Sequence, residues 1–331
     1  LVVFRFIQGM GGGALLVTAQ TIITESYPVE KRGMAQAIYG MGVIVGPTLG
    51  PPLGGWIVDN WSWPYIFYIN VPLGIIATML SIMYVRSPKY GEKLSADKVD
   101  WWGMIFLIAF IGSLQFVLEH GQQDDWFEDP LIVGLSVLSA FGLLAFIWRE
   151  SVYEHPIVNL KVLKDSNLRI GTIMSFIMGF GLFGSTFIIP IYTQSILGWT
   201  ATDAGLLLIP SSLMTAFMMP FVGQMIQRGV KKTYMVAAGF SIFVGFTLWM
   251  YTVMTPDTGT EHFFYPLILR GVGLGLLFVP ITTMSLSTLK GKSIGEGAAF
   301  TGMLRQLGGS FGIAIISTFV TRFTQSHRVT P

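Results

Sequence analysis

The chain has 331 residues, more than half of them hydrophobic and only 11% charged, with a net charge of +2 and no cysteine. A soluble domain of this length carries about 25% charged residues, so a mean hydropathy of +0.63 excludes an ordinary water-facing globule. The missing cysteines exclude disulfides, thiolate metal sites and thiol catalysis, and the small net charge argues against a nucleic-acid partner.

A bilayer core about 30 Å thick needs roughly 20 apolar residues per helix. In chain order the sequence offers ten such spans: Val2–Ile23, Met34–Val58, Pro64–Val85, Trp102–Leu118, Leu131–Trp148, Leu168–Leu197, Ala204–Ile226, Thr233–Val253, Phe264–Leu286 and Ala298–Val320. The reading is an all-α membrane protein. Of the 20 Lys and Arg, 15 fall in alternate connections: Lys31 and Arg32; Arg86, Lys89, Lys93 and Lys98; Arg149, Lys161, Lys164 and Arg169; Arg228, Lys231 and Lys232; Lys290 and Lys292. The intervening connections contain neither residue, and two are acidic (Asp124, Asp125, Glu128 and Asp129; Asp257 and Glu261). The positive-inside rule puts the basic connections on the cytoplasmic side. The first span then enters from outside and begins apolar at Leu1, which leads us to expect truncation at the N-terminus, and at the C-terminus as well.

Two helices and their loop recur at an offset of 262 positions. Gly9, Gly11 and Thr21 match Gly271, Gly273 and Thr283; Gly33, Ala37, Gly40 and Met41 match Gly295, Ala299, Gly302 and Met303; Gly46 and Gly50 match Gly308 and Gly312. A parallel repeat of this kind builds the two halves of many secondary transporters, with the substrate site between them.

Four motifs carry the functional reading. Gly42, Gly46, Gly50 and Gly54, with Gly55, form a smooth stripe in the second span, and Pro47, Pro51 and Pro52 interrupt its backbone donors. Small-residue stripes let helices approach closely, and intramembrane proline is tolerated where protein or a cavity surrounds it. We expect a hinge or gate beyond simple packing. Arg5, with Gln8 and Gln20 on the same helix, makes an inward polar face, because an arginine in hydrocarbon costs about 2.5 kcal/mol or more; the bland alternative is an Arg5 that reaches the interface. Arg305, Gln306 and Arg270 are cavity candidates by the same argument. All 18 Asp and Glu lie in loops or at span ends, so a proton-carrying acid is expected outside these ten spans.

Other patterns carry nothing. Gly179, Gly181 and Gly184 match dinucleotide spacing but sit inside one apolar span, and Gly291-Lys292-Ser293 lacks the first glycine of a P-loop. The four histidines are not spaced as a metal pair, so neither a metal site nor a bound cofactor is expected, and no enzyme.

Arg5-Phe6-Ile7-Gln8-Gly9 and the Gly42–Gly55 run resemble motifs of the antiporters in the major facilitator superfamily. Ile69-Asn70-Val71-Pro72-Leu73-Gly74 and Arg305-Gln306-Leu307-Gly308-Gly309-Ser310 are similar to its fourteen-helix drug–proton antiporter branch, the EmrB/QacA type. The resemblance covers essentially the whole chain. It implies about ten of fourteen helices: residues 1–100 hold helices four to six, 101–150 two linker helices, and 151–331 most of the C-terminal bundle. It further implies Arg5 in proton coupling, Gly46 and Pro47 in alternating access, Asn70 and Pro72 in the motif after helix five, and no cofactor beyond a proton gradient. The expected activity is export of hydrophobic or cationic drugs across the inner membrane. The rival readings are export of one dedicated metabolite, lipid or siderophore, and a non-transporting sensor. Expected partners are the bilayer and small hydrophobic substrates, and the resemblance allows a periplasmic adaptor and an outer-membrane channel. The second-half loop motif departs from the family at Gln227, where an acid is common.

Overall fold

The computed structural model describes residues 2–85, 99–153 and 156–329. Outside the described residues lie the connection holding Arg86, Lys89, Lys93 and Lys98, and the side chains of Arg5, Pro47 and Pro51. The helices are α1 (Val2–Ser26), α2 (Arg32–Asn60), α3 (Tyr65–Tyr68), α4 (Asn70–Tyr84), α5 (Trp101–His120), α6 (Pro130–Val152), α7 (Ser166–Ser195), α8 (Ala201–Leu206), α9 (Ile209–Gln227), α10 (Lys232–Val253), α11 (Thr260–Ser285) and α12 (Lys292–Val329). Among the described residues nine spans are long and apolar enough to cross a membrane, and α2 is a 29-residue helix over the remaining expected one.

The ends of these helices follow from local chemistry. Asp129 accepts from the Leu131 and Ile132 N–H groups at the start of α6, with Pro130 in the first turn where its missing donor costs nothing. Asp100 caps α5 through Gly103 N–H, Asp165 caps α7 through Leu168 N–H at 2.9 Å, and Thr200 caps α8 through Asp203 N–H. Two boundaries differ from the sequence reading. The third expected span is divided at Ile69 into α3 and α4. The last helix continues past the apolar run to Val329, because hydrophobicity sets the membrane-embedded length and not the helix length.

Packing separates the helices into classes. In α11, 72% of the most apolar window is buried, against none in the α3–α4 span, so α11 is the central helix and α4 presents apolar side chains outward, as a lipid-facing helix must. One core joins Ala37 and Tyr39 of α2 to Met178 of α7, Met219 and Val222 of α9, Met235 of α10 and Phe278 of α11. A second, at the basic side, joins Leu168, Leu286, Leu289 and Ile294. A third, at the opposite side, joins Ile189, Leu207, Phe246 and Phe263. The α5–α6 hairpin packs tightly on itself, since a Cβ on Gly142 would sit 2.8 Å from the Phe110 nitrogen. The hairpin touches α12, where the Ser310 hydroxyl donates to Gln115 Oε1 at 2.8 Å. Its cytoplasmic end is tied by the Arg149–Asp100 ion pair at 2.9 Å, with the Asp100 side chain fully buried.

The repeated pairs are α1 with α2 and α11 with α12. Across the molecule α1 packs on α12 and α2 on α11, the exchange of partners that a pseudo-two-fold between repeats requires.

Candidate functional site

The first repeat unit meets the later helices along α2, which packs on α9 and α8. Gly33 abuts Ile226 and Gly223, a Cβ there lying 3.2 Å from the Ile226 side chain; Gly40 lies under Phe278 and Met219; Gly55 lies against the Thr202 backbone, again at 3.2 Å. Each step along α2 toward the outer side matches a step back along α9 and α8, so the seam is an antiparallel pair crossing the whole span. At its outer end the Thr202 hydroxyl donates to Asp59. Small residues at three depths allow this approach, because any side chain at Gly40 would meet the Phe278 ring at 2.8 Å.

Beside the seam lie the polar groups. The Arg305 guanidinium stacks 5.1 Å from the Phe278 ring centre and within electrostatic range of Tyr39, whose hydroxyl donates to the Leu16 carbonyl at 2.9 Å. Arg305 therefore stands where α2, α11 and α12 converge. Its backbone is clamped too: a Cβ on Gly179 would run into the Arg305 carbonyl. Gln36 donates to Thr24 at 2.5 Å, joining α2 to α1. Gln20, Thr24 and Gln36 are all buried, and Gln20 Nε2 and Gln36 Oε1 have no hydrogen-bond partner among the described residues. Linked through Thr24, which donates to the Gln20 carbonyl, the two amides form a buried polar strip with hydrogen-bonding capacity unused.

Arg270 makes a separate centre. It is 3% exposed and donates from Nε to Ser185 Oγ at 2.9 Å, from Nη1 to Ser211 Oγ at 3.0 Å, and from Nη2 to the Leu182 carbonyl and the Thr186 hydroxyl. Counting from Thr260, it sits about 15 Å into α11, in the outer half of that 26-residue helix. No carboxylate pairs with it among the described residues. Arg270, a cavity candidate in the sequence, is enclosed here by hydroxyls of α7 and α9 inside the C-terminal half. A sequence cannot show this, since its partners lie 85, 84 and 59 positions away.

The other sequence candidates fall as follows. Gln8 is exposed on α1, and Gln306 is exposed on α12 with its carbonyl accepting from Ser310. Gly42, Gly46 and Gly50 are exposed, and a Cβ on any of these or on Gly54 would meet nothing within 4 Å. The glycines at the seam are Gly33, Gly40 and Gly55. Asn70 donates to the Ile66 carbonyl at 3.1 Å, which bridges the α3–α4 break, and Pro72 is exposed in the first turn of α4. The Gly179–Gly184 run lies inside continuous α7, with Gly179 on α12, Gly181 on Phe243 and Gly184 on Ile316. These glycines serve helix crossing.

A family model described as Major Facilitator Superfamily matches residues 1–313. The chain belongs to that superfamily. Among its relatives are the fatty acid resistance protein FarB of Neisseria gonorrhoeae, 34% identical over 329 residues, 99% of this chain and 64% of the relative. The multidrug export protein EmrB of Haemophilus influenzae is 30% identical over 320 residues, 97% and 62% of the two chains. EmrB of Escherichia coli is 30% identical over 327 residues, 99% and 63%. The chain therefore spans a little under two thirds of the length of these relatives. Membership of this superfamily, with nine apolar spans among the described residues, makes the chain a multi-pass membrane protein of a transporter superfamily.

Proposed function

We propose that the protein is a secondary exporter that moves hydrophobic or cationic drugs outward in exchange for protons. The observation that supports this best is the seam. Helix α2 of the first repeat unit runs antiparallel to α9 and α8, made close by glycines, and a cation, Arg305 of the second repeat unit, stands beside the contact at mid-span. In this reading Arg5 takes part in proton coupling, the Gly46–Pro47 stretch governs access, and no resident cofactor is needed because the proton gradient supplies the energy. Protonation and substrate each favour one of two arrangements of the halves, and their alternation moves the substrate. A periplasmic adaptor and an outer-membrane channel are compatible partners.

A second reading is export of one dedicated amphipathic compound, and the similarity to a fatty acid resistance protein at 34% identity favours it. One assay separates the two. Inverted membrane vesicles carrying the protein from its full gene are given an acid interior and then a panel of lipophilic cations, dyes and lipophilic acids. Gradient collapse by several unrelated compounds supports multidrug exchange. Collapse by a single chemical type supports the dedicated exporter, and no collapse by any compound, with the protein folded and inserted, overturns the multidrug reading in favour of a dedicated exporter.

A further inference from the structure

The inner end of the seam gathers cations from both of its helices. A Cβ on Gly33 would lie 3.2 Å from the Ile226 side chain, and one on Gly223 would lie 3.2 Å from the Met34 Cα. The first turn of α2 and the last turn of α9 therefore touch at backbone level. Arg32 stands one residue from that contact and Arg228 two, both toward the basic side. At 1.5 Å of rise per residue, the two arginines start within about 3 Å of the same depth. Lys31 precedes Arg32, and Lys231 and Lys232 follow Arg228 after a turn at Gly229, whose φ is +86°. That turn folds back from the Val230 N–H to the Met225 carbonyl at 3.1 Å, which keeps both lysines at the end of α9.

The charge at this end is uncompensated. The carboxylates of the α1–α2 corner are Glu25 and Glu30, and α9 adds none, because position 227 is glutamine. Among the described residues neither carboxylate, and none of the five cations, is in an ion pair. Lys31, Arg228 and Lys231 are exposed, and Arg32 is half-buried. Among the described residues Arg32 donates only through Nε, to the Tyr27 carbonyl at 3.4 Å. Two exposed rings mark the depth: Tyr27, just after α1, and Tyr234, whose ring centre lies 5.8 Å from Lys231 Nζ. Tyrosines gather at the headgroup level of a bilayer.

Like charges held together by two helices in contact repel, and a group that relieves the repulsion here must be anionic and must sit at the membrane surface. A phosphodiester headgroup of the inner leaflet meets both conditions. Guanidinium groups take phosphate oxygens in pairs, and cytoplasmic basic clusters draw anionic lipids. A free phosphate has the charge but lacks the acyl anchor that concentrates a lipid at this depth. We infer that the inner end of the α2–α9 seam binds the headgroup of one anionic phospholipid, held by Arg32 on one helix and Arg228 on the other. The site is argued from the seam's inner end alone and does not depend on what the protein exports.

The test is a thermal-stability titration of the purified full-length protein in non-ionic detergent. Short-chain phosphatidylglycerol is the probe, with phosphatidylcholine of the same chain length and inorganic phosphate as comparisons. A ligand that binds only the folded state raises the melting temperature by an amount set by its concentration and Kd. Phosphatidylglycerol should raise it at concentrations where the other two do not. Arg32→Gln and Arg228→Gln should each weaken the apparent affinity by roughly fivefold or more. Gln227→Glu, which sets a carboxylate beside Arg228 and keeps every cation, should weaken it too, and it decides the matter if an arginine variant does not fold. Lys164→Gln removes one positive charge from a different basic connection and should leave the affinity unchanged. An equal rise with phosphatidylcholine means apolar lipid binding alone, and an equal rise with phosphate means a free-anion site; either overturns the inference. So does an affinity that survives both arginine substitutions, or one that falls as far in Lys164→Gln.

Discussion

The Arg270 centre gives the sharpest energetic prediction. Ser211 is fully buried and accepts from Arg270 Nη1 at 3.0 Å. Ser211→Ala removes an acceptor from a cation that cannot reach water, and a hydrogen bond to a charged group contributes about 1.5–3 kcal/mol. Arg270→Met behaves differently. It removes the guanidinium together with its desolvation cost and leaves an apolar chain of similar length, so its net effect should be small. In the Arg270→Met background Ser211→Ala should then cost well under about 1 kcal/mol, giving a coupling energy of at least about 1 kcal/mol in the double-mutant cycle. Reversible unfolding in mixed detergent micelles measures all four stabilities. If Ser211→Ala costs the same in both backgrounds, the two side chains do not interact and the enclosed-cation geometry is wrong.

Gly179→Leu would drive a side chain into the Arg305 carbonyl; overpacking at a backbone contact should cost about 3 kcal/mol or more and loosen α7 from α12, seen as faster proteolysis in detergent. Burial is not what sets Asp165. The Leu168 N–H, and then the Thr288 hydroxyl, hold its carboxyl below the ordinary carboxylate range. A depressed folded-state value means stability that is fully present above the unfolded-state value and lost as pH falls through the folded one. The thermal stability gap between the protein and Asp165→Asn should therefore be constant at neutral pH and close in acid, and a gap that widened in acid would contradict the cap. For the gene in full length, Arg5→Ala should abolish proton-coupled efflux while leaving membrane insertion intact, measured by vesicle pH-gradient collapse and by membrane yield.

Much of the architecture was legible because a bilayer imposes two simple signals, apolar length and charge sidedness. Both depend on composition, so the spans could be placed without knowing any contact. The division at Ile69 was only partly legible: Tyr65–Tyr84 reads as one apolar span, and the signals at the break are Asn70 and Pro72, which has no N–H to give the Tyr68 carbonyl. Glycine spacing was only half informative. It identified smooth helix faces, but not which face has a neighbour: the Gly42–Gly54 stripe touches nothing among the described residues, while Gly33, Gly40 and Gly55, on another face of the same helix, make the seam. The polar centres were visible one residue at a time. Gln20 stood out in sequence, yet Gln36, which completes its buried strip, did not, because a glutamine near a helix start reads as ordinary surface. The hydroxyls around Arg270 gave no signal at all, since Ser and Thr are common in any helix and only the fold brings them to one point.

The central claim is that the halves move against each other across the α2–α8/α9 seam. The chain contains no cysteine, so a Gly55→Cys, Thr202→Cys pair can be introduced into the full-length protein without a competing thiol from these residues. Proton-driven efflux from proteoliposomes should proceed with the pair reduced, fall to background when an oxidant joins the two cysteines, and return with a reductant. Equal efflux in the oxidised and reduced forms, with the cross-link verified by mass, would contradict the account.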